Sequence, residues 1–292
     1  LDWMDDEVVD LAIDKVHNIR QKIGYPTKGL TIMDPDFLRR YYLLTPINET
    51  AFFENIIAVR NQNYLREWRQ LGKPVDRDDW GMTVPTVNAY YNPPGNEIVF
   101  TAGIMQFPIF NAEAPEYLNY GAFGSISGHE LSHAFDSTGR HYDQIGNYTD
   151  WWTLSTVKAF EVRAQCFVDE YANFTVEAPD GTRVHVNGRL TLGENIADSG
   201  GVAAAYAAWK KRAEEYPNPD LPGLSEFTQD QLFFINYATF FCGKTTKEDQ
   251  LNRVYADPHS PHFARILGTM ANSRAFRESF NCPIKEPTCE LW

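Results

Sequence analysis

The chain has 292 residues, 43% of them hydrophobic and 14% aromatic, enough for one large core or two modest ones. A formal charge of −13 at pH 7 and the lack of any Lys/Arg run exclude a nucleic-acid partner, whose binding draws on clustered cations. These residues contain neither an apolar run of 18 or more nor a basic-then-apolar leader, so a membrane anchor or signal peptide would have to lie upstream.

In chain order, Asp2 or Asp5 can cap a helix over residues 5–23, where Val8, Val9, Ala12, Ile13, Val16 and Ile19 recur at helical spacing. A segment broken by Pro26, Pro35 and Pro46 joins it to a second helix over residues 51–71, and both read as scaffold. From Thr83 the period changes. Residues 87–91 and 97–100 are strand-like runs around Asn92-Pro93-Pro94-Gly95-Asn96, which predicts a hairpin. Helices are expected again over 151–171 and 228–241, with surface loops at 177–189 and 216–224. No repeat and no internal domain boundary is visible.

The most specific chemistry lies between these elements, in His129-Glu130-Leu131-Ser132-His133. Residues four apart on a helix are separated by about 400° and roughly 6 Å of rise, so His129 and His133 point the same way and can reach one metal ion. Glu130, turned by about 100°, is placed to act on a water at that metal as a general base. In a chain with 7 His the pattern is expected about 0.01 times by chance, which favours a site over a coincidence. The small and apolar residues 121–132 would let the helix lie deep, where an unpaired His pair is costly and a metal removes the cost.

A catalytic zinc takes three protein ligands and keeps one position for water. A third His ten residues after the first is excluded, because position 139 is Gly139. The other solution is a carboxylate from a later helix. Glu194 and Asp198 stand four apart at the start of an Ala-rich stretch; one can bind the metal while the other accepts the far N–H of a ligating His.

Several motifs then stand in order along nearly the whole chain: Val87-Asn88-Ala89-Tyr90-Tyr91, G-H-E-L-S-H-A-F-D at 128–136, T-L-G-E-N-I-A-D at 191–198, H-S-P at 259–261 with Arg265 following, and Cys289-Glu290-Leu291-Trp292. On these residues the chain resembles the catalytic region of the neprilysin and endothelin-converting-enzyme family of zinc metallopeptidases. The resemblance implies a mainly α fold with a small β-sheet, a thermolysin-like zinc metallopeptidase catalytic domain over residues 1–292. In it residues 1–80 are a helical lead-in continuing from a missing upstream region, and 81–292 carry the zinc site and substrate cleft. It implies one Zn²⁺ on His129, His133 and Glu194, Glu130 as general base, and Asp136 and Asp198 as the carboxylates that orient the imidazoles. His259 would stabilise the oxyanion, and Arg265, Asn88 and Ala89 would hold the peptide substrate. The pocket after the scissile bond maps to Ile104, Ile109, Ser125, Ile126, Phe240 and Phe241, where Ser125 is smaller and more polar than the family's usual residue. His17, His141, His185 and His262 have no motif around them and read as structural or solvated.

The activity implied is that of a zinc-dependent metalloendopeptidase cutting oligopeptides on the amino side of large hydrophobic residues. A zinc aminopeptidase and a catalytically silent, receptor-like member of the same fold are the alternatives; a non-haem iron oxygenase, which also uses two His and a carboxylate, is the rival from another reaction class. The four cysteines, Cys166, Cys242, Cys282 and Cys289, lack C-x-x-C spacing, which disfavours a zinc knuckle and leaves internal disulfides, external disulfides or free thiols open. By resemblance, Cys166 pairs with Cys289, and Cys242 and Cys282 bond covalently to the upstream N-terminal part of the same protein. An extracellular location follows from the same resemblance. The acceptors Asn48, Asn147 and Asn173 fit glycosylation, although roughly two such triplets are expected by chance.

Overall fold

The computed structural model describes all of residues 1–292. Helix α1 (Asp6–His17) stops well short of Ile23: the Asn18 amide closes it onto the Asp14 and Lys15 carbonyls, and strand β1 (Arg20–Gly24) follows. The apolar spacing that suggested a longer helix has a non-local explanation. β1 runs parallel to β3 (Glu97–Thr101), with Arg20 opposite Glu97, and β2 (Ala89–Asn92) pairs antiparallel on the other side of β3. The expected hairpin is therefore two strands of a three-stranded sheet of order β1-β3-β2, which leaves β2 with one open edge. The face of α1 is also turned relative to its apolar pattern. Val8 and Lys15 are fully buried, whereas Ile13 and Val16 are 49% and 40% exposed.

Helix α2 (Pro35–Tyr41) starts where Pro35 follows the Asp34 cap, and α3 (Phe52–Trp68) covers the second expected helix; neither buries a residue. A four-residue α4 (Glu116–Asn119), a π-helical turn (Tyr120–Gly124), α5 (Ser125–Ser132) and a 3₁₀ turn (His133–Phe135) then form one continuous rod carrying the histidines. Helix α6 (Leu154–Tyr171) begins on a Thr153 cap, and the 24-residue α7 (Leu192–Glu215) crosses α5 closely. At that crossing a Cβ on Gly128 would lie 2.5 Å from the Gly201 carbonyl oxygen, and one on Gly201 would lie 2.5 Å from the His129 nitrogen. The paired glycines let the two backbones touch, which sets Glu194 and Asp198 of α7 against the histidines of α5.

The stretch at 177–189 is more ordered than a surface loop. Strands β4 (Thr175–Glu177) and β5 (Arg183–His185) form a small antiparallel hairpin, seated through Val176 and Val186 on Val254 of α9 (Lys247–Ala256). Helix α8 (Gln229–Phe240) opens on a reciprocal Thr228/Gln231 capping box, and α10 (His262–Asn272) and α11 (Arg274–Phe280) complete the chain. Three apolar clusters surround the α5–α7 crossing. One joins Phe160, Phe167 and Tyr171 to Ile196 and Leu291; a second gathers Tyr117, Trp209, Phe233 and Phe234; the third packs the sheet through Tyr91, Ile98, Phe100 and Ile104. A Cys166–Cys289 disulfide fastens the C-terminal tail to α6, while Cys242 and Cys282 are exposed free thiols. No helix is long and apolar enough to cross a membrane.

Candidate metal centre and cleft

The rod and α7 bring His129, His133 and Glu194 together with their ligating atoms facing one point. His129 Nε2 is 3.0 Å from His133 Nε2, and Glu194 Oε2 is 3.2 Å and 3.5 Å from those two nitrogens. Ligands placed tetrahedrally about 2.0–2.1 Å from a zinc ion are about 3.3 Å apart, and these three edges bracket that value. Glu194 Oε2 is buried and has no well-directed hydrogen bond of its own, as expected of an atom that needs another partner. The donor set of two imidazoles and one carboxylate therefore fits a zinc ion in both chemistry and size.

Each imidazole is held from its far side. The Nδ1–H of His129 donates to Asp198 at 2.8 Å, and that of His133 donates to Asp136 at 2.7 Å, leaving both Nε2 atoms facing Glu194. Asp136 also accepts the amides of Thr138 and Gly139, each at 2.7 Å, so it closes the helix and orients a histidine at once. Asp198 is gripped by Arg265 through Nε and Nη2, both at 2.7 Å. Burial pushes Asp198 up, but the Arg265 guanidinium and the His129 bond bring it down to about 2. Burial opposes a charged His129, yet its bond to Asp198 and the nearby Glu194 carboxylate outweigh this and raise its pKa; burial opposes a charged His133 too, and Asp136 and Glu194 carry it further up. Burial likewise pushes Glu194 up, and the two imidazoles carry it far below the usual carboxylate range. Such a site favours positive charge where the two Nε2 atoms meet.

Glu130 points into the same cleft, 6% exposed, and burial raises its carboxyl with only partial offset from His129 and His133. His259 reaches the far side of Glu194, its Nε2 3.2 Å from Oε2, and its Nδ1–H donates to Asp257 at 2.7 Å. Its loop is tied to α7 by the Ser260 hydroxyl, which donates to Asn195 Oδ1 at 2.8 Å. Asp257 and Asn195 carry no role in the sequence reading. Their positions, two before His259 and one after Glu194, are the only local hint of one.

A cleft of about 410 Å³ runs past these groups, lined by Asn88, Ala89, Tyr91, Ile104, Ser125, Ile126, Phe240 and Phe241 along with the polar set. The open edge of β2 forms one wall. Ile109, 6% exposed, packs in the same cluster as Ile98, Phe100 and the cleft residue Ile104. Arg265 faces the cleft with its guanidinium 4.8 Å from the centre of the Phe241 ring. Asn48, Asn147 and Asn173 are all exposed. Of the histidines without a motif, His185 and His262 each bond a backbone carbonyl, that of Ala172 and that of Phe241, and His141 stacks on Tyr148.

The sequence model of peptidase family M13 matches residues 88–290, a span that includes His129, Glu130, His133, Glu194, His259, Arg265 and the cleft residues named above. The chain belongs to peptidase family M13. Over its full length it is 43% identical to the endothelin-converting enzyme homolog of Locusta migratoria and 42% identical to both neprilysin-3 of Drosophila melanogaster and human endothelin-converting enzyme 1. It covers 40%, 37% and 38% of those proteins respectively, so it spans about two fifths of the length of these M13 relatives. Among solved structures it matches the Mycobacterium tuberculosis zinc metalloprotease Zmp1 in complex with an inhibitor, with TM-score 0.89 and 35% identity, over 100% of this chain and 44% of that one. PepO of Lactobacillus rhamnosis HN001 matches with TM-score 0.80 and 29% identity, over 99% of this chain and 42% of that one. The mainly helical fold with small sheets is the fold of these M13 metalloproteases.

Proposed function

We propose that the chain performs zinc-dependent hydrolysis of peptide bonds inside oligopeptides, on the amino side of large hydrophobic residues. The observation that supports this most is the triangle of His129 Nε2, His133 Nε2 and Glu194 Oε2, with edges of 3.0, 3.2 and 3.5 Å, beside a buried Glu130. His129, His133 and Glu194 would hold one zinc ion, which when bound lowers the pKa of a water and polarises a carbonyl. Glu130 takes the proton of the attacking water and hands it to the leaving amine; a carboxyl raised by burial suits that exchange. Asp198 and Asp136 keep the imidazoles in the required tautomer. His259, braced by Asp257, donates to the oxyanion. Arg265 uses Nε and Nη2 on Asp198, which leaves Nη1 for a substrate carbonyl. Asn88, Ala89 and the open edge of β2 take the substrate backbone, and Ile104, Ser125, Ile126, Phe240 and Phe241 take the apolar side chain.

The same reading makes residues 81–292 the catalytic part and residues 1–80 its helical lead-in, with an upstream part of the same protein as covalent partner through Cys242 and Cys282. In support, both thiols are exposed, and Leu43, Leu44, Phe52, Phe53 and Leu71 are each more than two-thirds exposed. An extracellular setting is supported by the Cys166–Cys289 disulfide and by the exposure of all three glycosylation acceptors.

Cleavage-site mapping on a peptide mixture tests the function. The expected result is cuts before large apolar residues, in N-terminally blocked peptides as well, lost with a chelator and restored by zinc. Cleavage that ignores the chelator, or that requires a free N-terminus, would overturn it.

A further inference from the structure

Lys15 lies on α1, outside the segment that matches the family model, and is fully buried. Its Nζ donates to three backbone carbonyls, Ala134 at 2.6 Å, Gly139 at 2.8 Å and Tyr142 at 2.6 Å. That uses all three protons of the ammonium. The rings of Phe135, Trp151 and Tyr91 surround it, with centroids 5.3, 5.7 and 5.9 Å away. Burial pushes the lysine down to about 7, against the pull of Asp136 and Asp143, so the ammonium is held here at a desolvation cost. What an apolar side chain would not supply is a partner for three inward-facing carbonyls.

Those carbonyls belong to the turn that leaves the metal helix. Inside it, Asp136 accepts Thr138 and Gly139 amides on Oδ1 and the His133 Nδ1–H on Oδ2. The turn is tight enough that a Cβ on Gly139 would lie 1.8 Å from the His133 carbonyl oxygen. Asn96 extends the connection: its Nδ2 donates to the carbonyls of Lys15 and Gln144, and its Oδ1 accepts from the hydroxyl of Tyr91, a residue of the cleft wall.

The geometry points to Lys15 as a positioning residue: its ammonium fixes the 134–142 turn and, through it, the Asp136 carboxylate that orients His133. This rests on reading His133 as a zinc ligand. Lys15→Met is the test, read by zinc affinity in competition with a chromophoric chelator, by amide exchange at Thr138 and Gly139, and by kcat and KM separately. In a folded variant we expect zinc binding 10–100-fold weaker, as for other residues that orient a ligand. Exchange at both amides should be at least tenfold faster, and kcat should fall with KM within twofold. If Lys15 acts through Asp136, the Lys15→Met/Asp136→Asn double variant binds zinc no more weakly than the worse single variant. Zinc binding within threefold of the parent with unchanged exchange, or losses that multiply in the double variant, would overturn the inference. Should Lys15→Met not fold, Lys15→Gln, which keeps two donors on a shorter stem, carries the same expectations and the same refutation. A parent protein that takes no zinc would defeat the proposed function instead, while the exchange of Thr138 and Gly139 still decides the role of Lys15.

Discussion

The first 86 residues and the rest of the chain use apolar side chains in opposite ways. In the first part only Met4, Val8, Lys15, Pro26 and Thr45 are buried, and Phe52, Phe53, Leu43 and Leu44 are 70–78% exposed. In the second, Tyr117, Trp209, Phe233 and Phe234 are at most 1% exposed and pack into one cluster behind the metal helix. Helical spacing of apolar residues is present in both parts. It therefore marks a face that seeks cover, not one that has found it within the chain.

Paired substitutions can break this contrast. Phe233→Ala should cost about 3–5 kcal/mol in chemical denaturation, as a large side chain removed from a full core; a loss near zero would mean the second region is loosely packed. Removing the Cys166–Cys289 link by a Cys166→Ala change should cost about 2–5 kcal/mol, visible as a lower melting temperature under non-reducing conditions only. Gly128→Ala should cost about 1–3 kcal/mol, because its methyl group would meet the Gly201 carbonyl, and should weaken zinc binding by parting α5 from α7. Phe53→Ser on α3, by contrast, should change stability by less than about 0.5 kcal/mol. A Phe53→Ser loss comparable to that of Phe233→Ala would erase the distinction between the two regions.

What the sequence disclosed follows the range over which each signal acts. His129, Glu130 and His133 are legible because a helix turns fixed spacing into direction, and Glu194 with Asp198 obeys the same rule two helices later. The Gly128–Gly201 contact was half visible, in the small residues around the first motif. Strand β1 is hidden in the sequence because its partner lies on β3, far along the chain, while Val16, Ile19 and Ile23 continue an apolar spacing locally. Lys15 is not legible in the sequence, since a lysine on a helix reads as solvent-facing and its acceptors are carbonyls that no side-chain motif reveals. The β4–β5 hairpin carries only three residues per strand, too few for a period to emerge.

On the proposed function, a zinc held by His129, His133 and Glu194 would work with Glu130 on a peptide bond. Glu130→Gln tests it most directly, with bound zinc and peptide hydrolysis measured on the same preparation. The expected outcome is one zinc per chain retained and hydrolysis lowered by about 10²–10⁴-fold, the range for loss of a general base. A Glu130→Gln protein that cuts peptides at the parent rate, or a parent that cuts them without zinc, would contradict it.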